Sequence, residues 1–213
     1  STYDDLTKAC GDLDLVIEAA SENYDLKIAL FKNLDTLCAE KTILASNTSS
    51  ISITDIAAAT KRPGKVVGMH FFNPAPVMKL LEIIRGVETE DATCQFCQDI
   101  GEKLGKVVVN VELDSPGFVV NRILIPMINE AIFTLQDGVA SAEAIDKGML
   151  NGANHPMGPL ALSDLIGNDT VLAIMQVLYE EFQDSKYRPA LLLKSMVASG
   201  KLGRKSGEGF FKY

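Results

Sequence analysis

The stretch "GMHFFNPAPVMKLLEII", from Gly68 to Ile84, places two apolar strand-like runs on either side of a proline-rich loop. The prolines of "NPAPV" force the chain out of the sheet after the first run, because proline fixes φ and lacks the N–H that a central strand donates. His70 lies inside the first run and Glu82 between the apolar residues of the second, and an unpaired buried charge would be unfavourable at either place. If the loop returns the second run beside the first, Glu82 faces His70.

The whole first half of the chain alternates short apolar runs with amphipathic segments. The strand-like runs are residues 13–20, 42–49, 65–72, 78–86 and 106–112. Helical spacing of apolar residues is found between them, in residues 22–40, 53–60 and 91–104. Near-continuous apolar strands separated by helices predict a doubly wound α/β sheet that is covered on both faces.

The second half changes character after Glu112. The segment "DSPGFVVNRILIPMINEAIFTLQDG" begins with a helix N-cap residue, Asp114, and a first-turn proline, and then runs apolar for about five turns. Further helices are predicted at residues 142–149, 159–166, 169–182 and 189–198, before a glycine-rich closing segment. We therefore place one domain at residues 1–113 and an all-helical domain at 114–213. An apolar helical domain of this size is marginal alone, so we expect a homodimer.

Composition excludes several classes of protein. A hydrophobic content of 47% with 23% charged residues indicates a globular chain, and the net charge of −8 argues against binding nucleic acid or an anionic membrane. No apolar run approaches the roughly 20 residues of a membrane span. Four scattered cysteines favour a reducing compartment, and we expect the cytoplasm. Cys94 and Cys97 lie in a predicted helix, and we expect them to pack rather than bind metal.

His70 lies near the exit of its strand, at the edge of an open α/β sheet where ligands bind. A neutral imidazole is a natural general base near neutral pH, and a carboxylate such as Glu82 can hold its tautomer and orientation. The alternative is a structural histidine with a solvent-facing glutamate.

Two other stretches follow strands at comparable edges. "SNTSS", residues 46–50, clusters hydroxyl groups that suit a ligand, although caps and turns explain most such clusters. Just after it, Ser52 and Asp55 have the spacing of a capping box.

The stretch after the first strand also carries polar candidates. Ser21 is expected to cap the next helix, with Glu22 in its first turn. Glu22 and Lys27 fit a solvated helix face as readily as a site. In the second half, Asn121 is a polar amide within an apolar helix and needs a partner, either another helix or a substrate. His155 lies in a proline-flanked loop and is expected to be structural.

Five collinear motifs carry a resemblance to a known family. "LASNTSS", "GMHFFNPAPVMKLLEII", "DSPGFVVNR", "NHPMGPLALSDLIGND" and "GRKSGEGFFKY" resemble the L-3-hydroxyacyl-CoA dehydrogenase family over essentially the whole chain. The resemblance implies a Rossmann-type NAD-binding domain and a helical domain that dimerises. It also implies oxidation of the 3-hydroxyl of a short acyl-CoA, such as 3-hydroxybutyryl-CoA, or reduction of acetoacetyl-CoA.

The resemblance further implies roles for individual residues. His70 would take the hydroxyl proton, and Glu82 would stabilise the imidazolium that forms. Ser49 and Asn121 match catalytic positions near the reacting oxygen. The positions that match the cofactor site are Glu22, Lys27, Ser49, Asn73 and Lys205.

The sequence departs from the family at one point, because it holds no G-x-G-x-x-G turn on its first strand and no acidic residue about 20 positions later. We expect these to lie in a segment upstream of Ser1, so that NADP stays open beside NAD. Two alternatives remain at this point. One is a related dehydrogenase of a sugar acid such as gulonate, and the other is a non-catalytic dimerisation module.

Overall fold

The computed structural model describes residues 6–213, which form two compact units divided between Phe118 and Val119. The elements of the first unit are, in chain order, α1 (Leu6–Ala9), β1 (Leu15–Glu18), α2 (Tyr24–Leu37), β2 (Ile43–Ser46), α3 (Ile53–Ala58), a 3₁₀ turn (Pro63–Lys65), β3 (Val66–Phe71), β4 (Leu80–Ile84), α4 (Asp91–Lys103) and β5 (Val107–Val111).

The five strands form one sheet in the order β1-β2-β3-β4-β5. All pairs are parallel except β3 and β4, which run antiparallel. One apolar cluster, built around Phe31, Leu44 and Ile56, includes residues of α2 and α3. A second cluster, built around Met69, Leu81 and Cys97, includes residues of α4. These are the layers of a Rossmann-like α/β fold, which confirms the predicted fold class.

The antiparallel step follows from the short connection between β3 and β4. A parallel neighbour needs a crossover of about a dozen residues or more, usually through a helix, and residues 72–79 form none. The chain therefore returns beside itself. In the resulting register Phe71 lies opposite Leu81, and His70 lies opposite Glu82. This is the return of the chain that the proline-rich loop predicted.

Gly68 of β3 allows the sheet to pack closely against α3. A Cβ atom at this position would lie 2.8 Å from Cβ of Ile84 and 3.0 Å from Cδ1 of Ile53. Real Cβ atoms do not approach so closely, so only glycine leaves β3 in its place.

The first helix of the second unit begins later than the sequence predicted. It starts at Val120, not just after Asp114. The carboxylate of Asp114 instead accepts hydrogen bonds from Ser52 Oγ at 2.7 Å and from the Thr54 backbone N–H at 2.8 Å, at the start of α3. Ser52 Oγ also accepts from the Asp55 N–H at 3.1 Å, which is one of the two hydrogen bonds of the predicted capping box. Asp114 therefore stabilises a helix sixty residues earlier in the chain.

The second unit is helical, as expected. Its elements are α5 (Val120–Gln136), α6 (Ala142–Gly152), α7 (Pro159–Ile166), α8 (Asn168–Phe182), a 3₁₀ turn (Ser185–Tyr187), α9 (Leu191–Ala198) and a second 3₁₀ turn (Arg204–Ser206). Its core is centred on Ile128, Met175 and Leu193. Among residues 6–213 no single helix is long and apolar enough to cross a membrane; α7 and α8 pass that test only together, across a bend of 97°.

A buried carboxylate anchors the glycine-rich closing segment of the second unit. Asp164 of α7 accepts hydrogen bonds from the backbone N–H groups of Phe210 and Phe211 and from the hydroxyl of Tyr213. Gly209 lies so close to this carboxylate that an added Cβ would overlap it. The path of the closing segment is therefore fixed by hydrogen bonds from its N–H and hydroxyl groups to the charged carboxylate of Asp164.

Candidate active site

His70 and Glu82 form a buried pair on adjacent strands. His70 Nδ1 lies 2.7 Å from Glu82 Oε2, and the two side chains are 8% and 0% exposed. A carboxylate can only accept, so Nδ1 carries a hydrogen, and in the neutral ring the lone pair lies on Nε2. Within residues 6–118 the ring makes no other hydrogen bond. The pair therefore presents a basic nitrogen whose tautomer is fixed by Glu82.

Two aromatic rings hold the imidazole in place. The ring of Phe72 lies 4.6 Å from the His70 ring between centroids, and that of Phe118 lies 5.6 Å away in an edge-on arrangement. Apolar walls lower the local dielectric, which strengthens the interaction between His70 and Glu82. The two phenylalanines were not among the residues predicted for the site, although Phe72 directly follows the strand and Phe118 lies in the quoted "DSPGFVVNR" motif.

Glu22 binds the turn that follows β2 through several hydrogen bonds to one carboxylate oxygen. Its Oε1 accepts hydrogen bonds from Thr48 Oγ1 at 2.6 Å and from the backbone N–H groups of Ser49 at 2.9 Å and Ser50 at 3.0 Å. The hydroxyls of Ser49 and Ser50 lie 3.2 Å and 3.1 Å from the same oxygen. The expected place of Glu22 in the first turn of a helix was wrong, because α2 begins at Tyr24.

The helix cap expected at Ser21 is also wrong. Asn23 caps α2, and its side chain accepts from the Leu26 N–H at 2.9 Å. With the cap two residues later, Glu22 stays outside the helix and is able to reach across to the neighbouring strand. Burial raises the pKa of Glu22, but the hydrogen bonds from Thr48 and Ser49 and the charge of Lys27 outweigh it and hold the pKa below the usual range.

Lys27 is fully buried, which rules out a solvated helix face. Its Nζ lies 2.8 Å from Glu18 Oε1, 2.9 Å from Glu18 Oε2 and 3.7 Å from Glu22 Oε2. Glu18 was not predicted as a site residue. The signal available in the sequence was a carboxylate that ends an apolar strand and must therefore find a partner.

The backbone of β2 and β3 remains tied beyond the last residue of β2. Asn47 Oδ1 accepts the Phe71 N–H at 2.8 Å, and Thr48 Oγ1 accepts the Ile51 N–H at 2.9 Å. The Asn47 side chain continues the β2–β3 hydrogen bonding beyond Ser46, and Thr48 closes the turn that follows. They hold the carboxyl-end edge of the sheet, where Ser49 and His70 lie on adjoining segments, in a defined shape.

The remaining predicted residues are distributed over both units. Asn73 is exposed in the loop after β3, and its peptide bond to Pro74 is cis. Asn121 is buried in the first turn of α5. Lys205 lies in the second unit, where its Nζ is 2.7 Å from Asp169 Oδ2. Direct roles for these residues stay predictions.

Two of the cysteines pack in the core of the first unit. Cys94 and Cys97 both lie in α4 as free thiols, and burial raises the pKa of Cys97 to about 12. Among residues 6–213 no group of three or more histidine, cysteine, aspartate or glutamate side chains could hold a metal ion. Cys97 belongs to the apolar cluster around Met69 and Leu81, and Cys94 packs against it, as the sequence predicted.

Comparison with known families identifies this arrangement. Residues 1–115 match the family model described as "3-hydroxyacyl-CoA dehydrogenase, NAD binding domain", and residues 117–213 match "3-hydroxyacyl-CoA dehydrogenase, C-terminal domain". This chain belongs to the 3-hydroxyacyl-CoA dehydrogenase family. It is therefore an oxidoreductase with an NAD-binding domain.

Individual relatives agree with the family match. A 3-hydroxybutyryl-CoA dehydrogenase from Clostridioides difficile is 58% identical over 213 residues, which are 100% of this chain and 74% of that protein. One from Bradyrhizobium diazoefficiens is 55% identical over 202 residues, or 95% of this chain and 69% of that protein. The crystal structure of (S)-3-hydroxybutyryl-CoA dehydrogenase from Ralstonia eutropha superposes with a TM-score of 0.91 at 58% identity, covering 94% of this chain and 70% of that one.

These matches favour the 3-hydroxyacyl-CoA dehydrogenase hypothesis over the sugar-acid and non-catalytic alternatives. One edge of the sheet in this chain is suited to bind the cofactor. The carboxyl ends of β1, β2 and β3 meet at one edge, where Glu22 and Ser49 offer a partly exposed carboxylate and hydroxyl. Ligands of open α/β sheets bind at such an edge.

Proposed function

We propose that the protein interconverts short-chain (S)-3-hydroxyacyl-CoA and 3-ketoacyl-CoA, with His70 as general base and acid and Glu82 as its partner. The observation that carries the proposal is the 2.7 Å contact between His70 Nδ1 and Glu82 Oε2. In the neutral imidazole this contact leaves the lone pair on Nε2, which is what an alcohol oxidation needs at the hydroxyl oxygen. The names of the relatives supply the acyl-CoA class of substrate.

The proton transfer is the part of the reaction that these side chains perform. In oxidation, Nε2 of His70 takes the proton of the 3-hydroxyl, and the imidazolium that results is stabilised by the carboxylate of Glu82. In reduction, the same Nε2 returns a proton to the carbonyl oxygen. The buried setting strengthens the attraction between imidazolium and carboxylate, because little water competes for either group.

The cofactor assignment completes the proposal. NAD held at the carboxyl-end edge would supply the hydride chemistry at C3 of the substrate. The residues proposed to hold it are Glu22, Lys27, Ser49, Asn73 and Lys205. Ser49 and Asn121 are proposed to orient the reacting oxygen.

The assembly and location are part of the same proposal. The second unit leaves large apolar side chains exposed, including Ile123 at 67%, Val139 at 73% and Leu191 at 69%. Such surface suits contact with a second copy, so we propose a homodimer formed by residues 119–213. The four cysteines are free, which is consistent with a reducing compartment such as the cytoplasm.

Substrate profiling tests the function directly. Protein expressed from its whole reading frame is incubated with NADH and acetoacetyl-CoA, and NADH consumption is followed by absorbance. The reverse assay compares 3-hydroxybutyryl-CoA with gulonate as substrates for NAD reduction. Turnover of the CoA esters is expected. Turnover of gulonate alone, or of neither class, would overturn the proposal.

A further inference from the structure

The carboxylate of Glu18 sits at the carboxyl end of β1 with only 4% of the residue exposed. It accepts from Lys27 Nζ through both oxygens, from Ser46 Oγ at 2.7 Å, and from the Ala20 backbone N–H. These donors come from α2, from β2 and from the residues that directly follow β1. A buried pair of this kind is seldom a source of stability, because desolvation of both ions offsets their attraction. Its retention needs another explanation.

The position of Lys27 in its helix further reduces the stability that the Glu18–Lys27 pair can contribute. It lies in the first turns of α2, at the end where the helix dipole disfavours a cation. No part of its side chain is exposed. Its Nζ is directed at both oxygens of Glu18 and, at 3.3 Å, at the Ala20 carbonyl oxygen. The ammonium is therefore fixed in position by Glu18.

The same ammonium faces Glu22 on its other side. Lys27 Nζ lies 3.7 Å from Glu22 Oε2, and Glu22 Oε1 accepts hydrogen bonds from the turn of residues 48–50. One carboxylate thus joins the fixed cation to the turn that carries Ser49. The sequence of contacts runs from Glu18 to Lys27, from Lys27 to Glu22, and from Glu22 to the Ser49 backbone.

We infer that Glu18 is a positioning residue that, through Lys27 and Glu22, holds the turn of Ser49 in its working place. Its consequence for catalysis rests on the proposed function, since Ser49 is placed beside the reacting oxygen there. Loss of Glu18 alone leaves a buried cation that competes with the turn for Glu22. Loss of both Glu18 and Lys27 removes the competing charge but also removes the anchor of Glu22.

The double variant Glu18→Gln/Lys27→Met separates positioning from stability. Replacing both members of a buried pair restores stability more readily than removing one, so this variant is expected to fold and to keep a urea midpoint near that of the unchanged protein. Amide exchange by NMR is expected to become at least tenfold faster at Ser49 and Ser50. The amide of Thr54, which is held by Asp114, serves as the internal reference and is expected to stay unchanged.

A matched control uses the other buried ion pair of α2. Asp35 lies 2.7 Å from Arg62 Nε, with side chains 6% and 11% exposed, and neither contacts the turn of Ser49. Asp35→Asn is expected to lower the urea midpoint without changing exchange at Ser49 or Ser50 or the kinetic constants. The double variant is expected to lose at least tenfold in kcat for acetoacetyl-CoA, with a smaller change in KM.

The outcomes are distinct. Normal exchange at Ser49 and Ser50 in the double variant overturns the positioning role, whatever the activity is. Faster exchange with a normal kcat overturns its catalytic consequence. Absence of turnover in the unchanged protein overturns the proposed function instead, and the exchange measurement still decides whether Glu18 holds the turn.

Discussion

His70 and Glu82 occupy the same cross-strand position of the antiparallel β3–β4 pair, so the hydrogen bond between their side chains joins neighbours that the sheet itself holds opposite each other. Cross-strand partners of this kind have Cβ atoms only about 5 Å apart. The backbone hydrogen bonds of the two strands therefore set the orientation of the imidazole before any substrate arrives.

Replacing His70 by glutamine removes the only group in this pair that can exchange a proton with substrate. Acetoacetyl-CoA reduction is expected to fall by about 10²- to 10⁴-fold, the usual contribution of a positioned acid or base. The second histidine provides the matched control, because His155→Gln changes a loop of the second unit and is expected to keep the rate. A near-normal rate for His70→Gln would contradict the mechanism.

Glutamine in place of Glu82 keeps an oxygen that can accept from Nδ1 but removes the charge. A hydrogen bond to a charged group contributes about 1.5–3 kcal/mol, which corresponds to roughly a ten- to hundredfold loss in kcat. Steady-state assays at one pH, with circular dichroism to confirm folding, measure the effect. If Glu82→Gln costs more activity than His70→Gln, Glu82 does more than orient and stabilise the imidazole.

Acid is expected to loosen the turn that Glu22 holds. The pKa of Glu22 is lowered in the folded protein, so its contribution to stability is present above the unfolded value of 4.5 and is lost as the pH falls through the folded pKa. Urea midpoints measured from pH 7 down to pH 3 follow this loss. Glu22→Gln is expected to make the urea midpoint depend less on pH in this range. An unchanged dependence in this variant would show that the charge of Glu22 does not stabilise the turn.

Removing the carboxylate of Asp164 leaves the donors of Phe210, Phe211 and Tyr213 without their acceptor. We expect Asp164→Ala to lower the free energy of unfolding by about 2–4 kcal/mol. Asp137→Ala, at an exposed aspartate of the same unit, is the control and should change stability by less than about 0.5 kcal/mol. Equal effects of the two substitutions would refute the anchoring role.

Thiol labelling tests the cysteine assignment. Burial raises the pKa of Cys38 to about 11 and that of Cys97 to about 12, and only the thiolate reacts. Both should therefore resist a thiol reagent at pH 8 until urea unfolds the protein. Rapid modification of Cys97 in the folded protein would contradict its packing role.

The sequence was sufficient for the contacts that follow from local rules. Prolines after an apolar strand, and a second apolar run within a few residues, predict a hairpin-like return, and that return brings Glu82 to His70. The helices of the second unit were also predictable, because their apolar residues recur at helical spacing and their ends carry proline or glycine.

Contacts between distant segments were not predictable in the same way. Ser21 and Asn23 are both acceptable helix caps, and the choice between them is made by Glu22, which turns away to bind the residues after β2. Asp114 looks like the cap of the helix that follows it, yet it binds Ser52 and Thr54 instead. Local capping rules identify the residue type but not the partner that the tertiary fold brings to it.

The return of the chain at residues 72–79 also limits how such a protein can change over evolutionary time. Side chains alternate between the two faces of a strand, so a shift of one residue in the β3–β4 pairing would turn Glu82 away from His70 while leaving both residues in the sequence. A shift of two residues would return Glu82 to the same face of the sheet but move it along the strand, away from the position opposite His70. An insertion or deletion that shifts this register would therefore separate the pair even if both residues were kept.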